Sequence, residues 1–172
     1  MILFLDISST CTGYAVADKG KIAGVGVKWF PKEWKTPEKC REMSFWVNTL
    51  CGNRNVEKIV YERYSFNMKN PNGALACPQI QGAVFAGSLG SKQLEDITPQ
   101  TWRKHCGLKK AKTENWKEVT EAHFRALYDI PEKIESNVTG NLRTTPSDYF
   151  DALGICIGWH KMNGLEISWE KE

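Results

Sequence analysis

The last predicted helix constrains the fold of this chain more than any other segment. Residues 149–159, YFDALGICIGW, are apolar on nearly every side, and such a helix is stable only when it is buried. Thr145 is expected to cap it and Pro146 to occupy its first position. The 172 residues suffice for one hydrophobic core but are few for two full domains. We therefore expect a single domain, residues 1–172, in which this helix lies on a sheet.

Four segments rich in apolar or β-branched residues predict strands of that sheet, at residues 2–7, 12–17, 22–30 and 56–61, and residues 92–97 are expected to form a fifth strand. The short turn at residues 18–20 makes the first three an antiparallel meander. Helices are expected at residues 37–51, 74–89, 99–106 and 113–128. Residues 129–145 show no periodicity and are predicted to be a long loop, and residues 164–172 a peripheral tail or an added short strand. The predicted fold class is α/β, a mixed five-stranded sheet flanked by helices.

Four carboxylates stand where the needs of folding alone would not place them. Asp6 lies inside an apolar strand, Glu62 ends another, and Asp148 and Asp151 share one face of the last helix. A buried charge costs several kcal/mol unless it is paired or bound to a cation. Singly, Asp148 could interact with the helix N-terminus, Glu62 with Arg63, and Asp6 with a lysine. Together the four favour a cation site.

Carboxylate ligands without histidine or cysteine are typical of Mg²⁺ or Mn²⁺. Two such ions about 4 Å apart serve phosphoryl transfer, since one activates a water and the other stabilises the leaving oxygen. The six cysteines form no C-x-x-C pair and the three histidines are not spaced with them as zinc ligands, which argues against zinc. Without an export signal or a membrane-spanning apolar segment, we expect reduced thiols, a cytoplasmic protein that is not secreted, and no membrane partner.

The positive charge of the chain is concentrated in one segment. The formal net charge is +3, yet residues 103–117 contain six basic side chains and a single acidic one, and the rest of the chain is slightly acidic. Such a window indicates contact with a polyanion, the alternative being a solvated helix-and-loop face. The six are Arg103, Lys104, Lys109, Lys110, Lys112 and Lys117.

Three segments resemble the acidic motifs of RuvC-type Holliday junction resolvases: residues 5–16, LDISSTCTGYAV; residues 59–62, IVYE; and residues 147–155, SDYFDALGI. The resemblance spans nearly the whole chain. It implies an RNase H-like fold, a homodimer, and Mg²⁺-dependent paired nicking of four-way DNA junctions that leaves 5′-phosphate and 3′-hydroxyl ends. It also implies that Asp6, Glu62, Asp148 and Asp151 are the metal-binding catalytic carboxylates.

Other features of that family carry over to single residues. Phe66 resembles an aromatic that stacks near the junction centre, although an apolar plug of the loop is the alternative. Lys112 resembles a functional lysine of the family and is assigned to catalysis and DNA binding, and Lys104 matches another across a gap. Lys69 and the basic residues from Arg103 to Lys112 are assigned to DNA phosphates.

The chain departs from the cellular members of that family at residues 7 and 8, where Ile-Ser replaces the usual Pro-Gly. The many tryptophans and the compact length look more like the viral or bacteriophage branch. Two other functions stay open. One is an RNase H or exonuclease on the same fold, and the other is a non-catalytic junction-binding module. The presence of all four carboxylates argues against the module.

Overall fold

The computed structural model describes residues 1–64, 71–88 and 93–169, with the backbone alone at residues 71–74. Its elements, in chain order, are β1 (Ile2–Ile7), β2 (Cys11–Asp18), β3 (Lys21–Trp29), α1 (Thr36–Asn53), β4 (Lys58–Glu62), α2 (Pro71–Gly87), β5 (Gln93–Ile97), α3 (Pro99–His105), α4 (Trp116–Leu127), β6 (Lys133–Glu135), β7 (Leu142–Thr144) and α5 (Ser147–Met162).

The main sheet has five strands in the order β3-β2-β1-β4-β5. The first three strands form the antiparallel meander, and β4 runs parallel to both β1 and β5. Lys19 and Gly20 adopt positive φ in the tight turn between β2 and β3, as a two-residue hairpin connection requires. The predicted mixed α/β sheet is therefore confirmed.

Helices cover both faces of this sheet. Leu3 and Leu5 of β1 belong to the core shared with α1 and α2, whereas Phe4 belongs to the core shared with α3, α4 and α5. Because successive side chains of a strand point to opposite faces, Asp6 shares the α5 side with Phe4. By the same alternation Glu62 follows Val60, which belongs to the α5 core. Two of the four carboxylates thus face α5.

The prediction of a buried last helix is confirmed, because every residue of α5 from Tyr149 to His160 is buried. The helix begins one residue later than expected. Pro146 precedes it as the cap residue with no side-chain cap bond, and Thr145 donates its hydroxyl to the Pro131 carbonyl at 2.6 Å instead. Similarly, α4 begins at Trp116, where the Asn115 side chain accepts from the Lys117 backbone N–H, and not at residue 113.

The prediction of a long loop over residues 129–145 is wrong, because β6 and β7 form an antiparallel hairpin there. Each strand has only three residues, with one half-buried side chain, so no periodicity marks it in the sequence. The hairpin is attached to the edge of β3. Asn137 accepts from the Trp29 N–H at 2.7 Å and donates to the Trp29 carbonyl at 3.3 Å, and the Arg143 guanidinium lies over the Trp29 ring.

The C-terminal segment adds a short bridge to the sheet. Ser168 pairs in parallel with Lys21, and it exchanges backbone hydrogen bonds with Gly20 and Ile22. This agrees with the predicted added strand as far as residue 169, where the described part of the chain ends. In the part of the chain that the structure describes, no helix is both long and apolar enough to cross a membrane.

Candidate active site

Parallel pairing of β1 and β4 brings the first two carboxylates together. The register pairs Leu5 with Tyr61, so Asp6 and Glu62 follow at the same end of neighbouring strands. Carboxyl ends of adjacent parallel strands are where open sheets present functional side chains. Arg63, which the sequence offered as a partner for Glu62, donates its Nε to Asp96 instead. Glu62 is therefore left without that cation.

A glycine lets α5 deliver the other two carboxylates. Gly13 on β2 pairs with Asp6 of β1, and a Cβ on Gly13 would lie 1.8 Å from the Asp148 carbonyl oxygen. Only glycine allows this approach of the helix backbone to the strand. Asp148 stands in the first turn of α5 and Asp151 one turn later. The four predicted carboxylates are thus assembled from β1, β4 and α5 at one end of the sheet.

Burial and mutual repulsion raise the pKa of three of these groups. The pKa of Asp6 lies well above its usual value because of burial first and then the charges of Asp148, Glu62 and Asp151. Burial raises the pKa of Glu62, although the hydrogen bond from Trp102 acts to lower it. Burial and the charge of Glu62 raise the pKa of Asp151 to about 7. Ionising all of them is unfavourable unless a cation is added.

Protein donors hold two of the carboxylates. The Asp148 Oδ2 accepts from the Ser8 hydroxyl at 2.7 Å and from the Cys11 thiol at 3.1 Å. The Glu62 Oε2 accepts from the Trp102 indole N–H at 2.8 Å. Burial and the Asp148 charge raise the pKa of Cys11, so it stays a neutral thiol that can donate. No role in the site was predicted for Cys11 from the sequence.

Two cations act on the acidic cluster, and both follow a tryptophan in the sequence. The charge of Arg103 opposes the raised pKa of Glu62 and Asp151, and the charge of Lys117 opposes that of Asp6 and Asp151. The Arg103 guanidinium lies 4.8 Å from the Trp102 ring centroid and 4.9 Å from that of Trp116. Sequence reasoning placed Lys117 only in the basic window that indicates contact with a polyanion, and did not place it beside the carboxylates.

The remaining predicted DNA-contacting residues fall into three groups. Lys110 donates to the Glu114 carbonyl at 2.6 Å and to the Ala111 carbonyl at 3.1 Å, so its amine is held within its own turn. Exposed positions are occupied by Lys104, Lys109 and Lys112. Phe66 and Lys69 lie outside the described residues. The role assigned to Lys112 in catalysis stays a prediction.

The donor chemistry of the cluster fits a hard divalent cation, because four carboxylates outnumber the positive charges that act on them from the described residues, those of Arg103 and Lys117. Within residues 1–64, 71–88 and 93–169, no three His, Cys, Asp or Glu side chains already converge as ligands of one ion. Glu62 accepts through one of its two oxygens. Both oxygens of Asp148 accept from protein donors, Oδ2 from Ser8 and Cys11 and Oδ1 from the Ser147 hydroxyl at 3.2 Å, so these bonds fix the orientation of its carboxylate.

The arrangement of the whole chain matches that of solved junction-resolving nucleases. Thermus thermophilus RuvC in complex with a Holliday junction substrate superposes with a TM-score of 0.69 at 16% sequence identity, over 95% of this chain and 94% of that one. The chain has the fold of the RuvC-type resolvases. This confirms the fold predicted from the acidic motifs.

Other resolvases share the RuvC-type fold of this chain. The yeast mitochondrial Holliday junction resolvase Ydc2 matches with a TM-score of 0.60 and 15% identity, over 95% of this chain and 80% of that one. The fowlpox virus resolvase in complex with Holliday junction DNA matches with a TM-score of 0.52 and 16% identity, over 96% of this chain and all of that one. No protein family model and no curated protein sequence matches the chain.

Proposed function

We propose that this protein is a DNA endonuclease that resolves four-way junctions by paired, symmetric nicks. One observation carries the proposal: Asp6, Glu62, Asp148 and Asp151 meet at one end of a sheet of RuvC-type fold, where Asp151 is buried, the other three are half-buried, and their charges repel one another. Such a cluster is unfavourable for stability alone, and perturbed carboxylates gathered at strand ends are typical of a catalytic site.

The four carboxylates would hold two Mg²⁺ ions, for which Mn²⁺ can substitute, because both prefer oxygen ligands. When bound, the ions supply an activated water and stabilise the leaving oxygen, leaving 5′-phosphate and 3′-hydroxyl ends. Arg103 and Lys117 flank the cluster and would draw the negatively charged DNA backbone towards it. Ser8 and Cys11 orient Asp148 through their bonds to its Oδ2.

Branched DNA is the proposed substrate, and a homodimer the proposed assembly. Exposed lysines at positions 104, 109 and 112 would contact phosphates, with Lys69, and Phe66 would stack on bases at the branch. A two-fold dimer would place equivalent sites on opposing strands of a junction. The solved Thermus thermophilus and fowlpox virus proteins are in complex with Holliday junction DNA, which supports this choice of substrate. A single nuclease domain over residues 1–172, cytoplasmic action and a viral or bacteriophage origin remain predictions from the sequence.

Cleavage of four labelled substrates tests the proposal. A four-way junction, a Y-fork, a linear duplex and an RNA–DNA hybrid are each incubated with Mg²⁺ or with EDTA. We expect paired nicks near the crossover of the junction, only with Mg²⁺. Asp6→Asn should abolish cutting and leave junction binding in EDTA largely unchanged. Asp18→Asn, at the far end of β2, is the matched control and should cut like the wild type.

The other outcomes separate the alternatives. Cutting of the hybrid alone would make the protein an RNase H. Junction binding without cutting would make it a recognition module. Substantial Mg²⁺-dependent cutting by Asp6→Asn would show that the acidic cluster is not the catalytic centre.

A further inference from the structure

The indole of Trp102 occupies a closely fitted groove beside the acidic cluster. Trp102 is fully buried, and it lies against two glycines of α5. A Cβ on Gly154 would come within 2.5 Å of the Trp102 ring, and one on Gly158 within 2.7 Å of the Trp102 carbonyl oxygen. Because real Cβ atoms do not approach so closely, the two glycines admit the indole where any other residue would displace it.

The position of Trp102 follows from the strand that precedes it. Glu62 at the end of β4 pairs with Ile97 at the end of β5, and Thr98 then caps α3 by accepting from the Thr101 N–H at 3.2 Å. Trp102 comes in the first turns of α3 and reaches back to Glu62. Its indole N–H donates to the Glu62 Oε2 at 2.8 Å. This bond engages one of the two oxygens of the Glu62 carboxylate.

The same indole supports a cation. The Arg103 guanidinium lies within 5 Å of the ring centroids of both Trp102 and Trp116. In the described part of the chain its Nε is buried and has no hydrogen-bond partner. The Arg103 charge acts on Glu62 and Asp151. Two aromatic faces thus keep this guanidinium next to the carboxylates.

We propose that Trp102 is a positioning residue of the active site: it orients Glu62 as a metal ligand through its N–H and holds Arg103 beside the cluster through its ring. The inference rests on the proposed metal-dependent nuclease function. A carboxylate that is already fixed by one hydrogen bond loses less rotational freedom when it binds an ion. Removal of such a supporting donor weakens metal affinity by about 10-fold to 100-fold.

Trp102→Phe tests the N–H, because the smaller ring still fits the groove but cannot donate. Trp159→Phe is the matched control, since Trp159 is also buried in the α5 core and donates its N–H to Glu95 at 2.7 Å. Glu95 pairs with Lys58, away from the cluster. Calorimetric titration of the DNA-free protein with Mn²⁺ gives a readout that is independent of cleavage.

We expect Trp102→Phe to bind Mn²⁺ about 10-fold more weakly or worse, and to need correspondingly more Mg²⁺ for half-maximal cleavage. Its junction affinity in EDTA should equal that of the wild type. Trp159→Phe should match the wild type in all three measurements. In a Glu62→Gln background, Trp102→Phe should cause no further loss of Mn²⁺ affinity. An equal loss in that background would overturn the proposal, because Trp102 would then not act through Glu62.

A second substitution covers the case in which Trp102→Phe does not fold. Benzothienylalanine at position 102 keeps the bicyclic ring and replaces the N–H by sulfur, so it fills the groove without donating. Mn²⁺ affinity within about twofold of the wild type in this protein would refute the inference, given the 10-fold effect expected of a supporting donor. If the wild type and Trp159→Phe bind no Mn²⁺ and cut no junction, the proposed function itself fails. If both bind and cut while Trp102→Phe equals them, only the role of Trp102 fails.

Discussion

Removing the charge of Asp151 should stabilise the metal-free protein at alkaline pH. Asp151 is 9% exposed, and burial together with Glu62 raises its pKa from 3.8 to about 7. The folded state therefore holds a proton that the unfolded chain releases near pH 4. Because the folded state binds more protons in this window, the free energy of unfolding falls as pH rises from about 4 to about 7, and levels off above.

The size of the effect follows from the pKa difference. A shift of about three units corresponds to about 4 kcal/mol, at roughly 1.4 kcal/mol per unit. Asp6 and Glu62 share the repulsion with Asp151, so this figure is a ceiling. The asparagine of Asp151→Asn carries no charge at any pH, so the free energy of unfolding of this variant does not fall for this reason as pH rises. We expect it to gain between about 1 and 4 kcal/mol at pH 8, and less than about 1 kcal/mol at pH 4.

Urea unfolding in EDTA at pH 4 and pH 8 measures this difference for the wild type, Asp151→Asn and the control Asp18→Asn. Added Mg²⁺ at pH 8 should stabilise the wild type and the control, because an ion that binds only the folded state shifts the folding equilibrium towards it. Asp151→Asn lacks one of the proposed metal ligands and should not gain this stability. A loss of stability in Asp151→Asn at pH 8, or an equal gain at both pH values, would refute the reasoning that Asp151 is a buried, uncompensated charge.

Two further predictions concern the docking of α5 and the basic segment. Gly13→Ala should cost about 1–3 kcal/mol of stability and most of the cleavage activity, because its Cβ would overlap the Asp148 carbonyl and push α5 away from β2. Replacing Lys109 and Lys112 together by alanine should reduce the slope of log affinity for junction DNA against log salt concentration by about 2, since each phosphate contact contributes about 0.9.

Each of these two predictions has a control within the chain. Gly24→Ala on β3 adds a Cβ that meets nothing within 4 Å, so equal damage from both glycine substitutions would contradict the docking argument. Lys19 and Lys21 stand at the turn between β2 and β3, far along the strands from Asp6. If their replacement changes the salt slope as much as that of Lys109 and Lys112, the basic segment is only a solvated face.

Local pattern predicted the elements that bury large apolar faces. Four of the five main strands, β1 to β4, and α5 were recognisable because each carries an unbroken or alternating apolar signal that burial requires. In β5, QLEDI, only Ile97 is buried, so its signal is weaker. The hairpin of β6 and β7 carries no such signal. The hairpin is held by hydrogen bonds between the Asn137 side chain and the Trp29 backbone, 108 residues away in the sequence. A contact between such distant residues cannot be recognised from the local sequence pattern.

The four carboxylates could be chosen from the sequence because each conflicts with its surroundings. A charge in an apolar strand, such as Asp6, or a pair of like charges on a buried helix, such as Asp148 and Asp151, is unfavourable wherever the chain folds. That conflict depends only on neighbours along the chain. The fold class and the candidate acidic residues could therefore be predicted without knowing the tertiary structure.

The residues that surround those acids could not be predicted, because they come from distant parts of the chain. Trp102 lies 40 residues from Glu62 and Ser8 lies 140 residues from Asp148, yet each donates a hydrogen bond to its partner. Such pairings depend on how closely α3 and α5 dock, which the missing side chains of Gly13 and Gly154 permit. Local periodicity states which face of an element is buried but not which residue of another element it meets, because the approach of two elements is set by packing across the whole core.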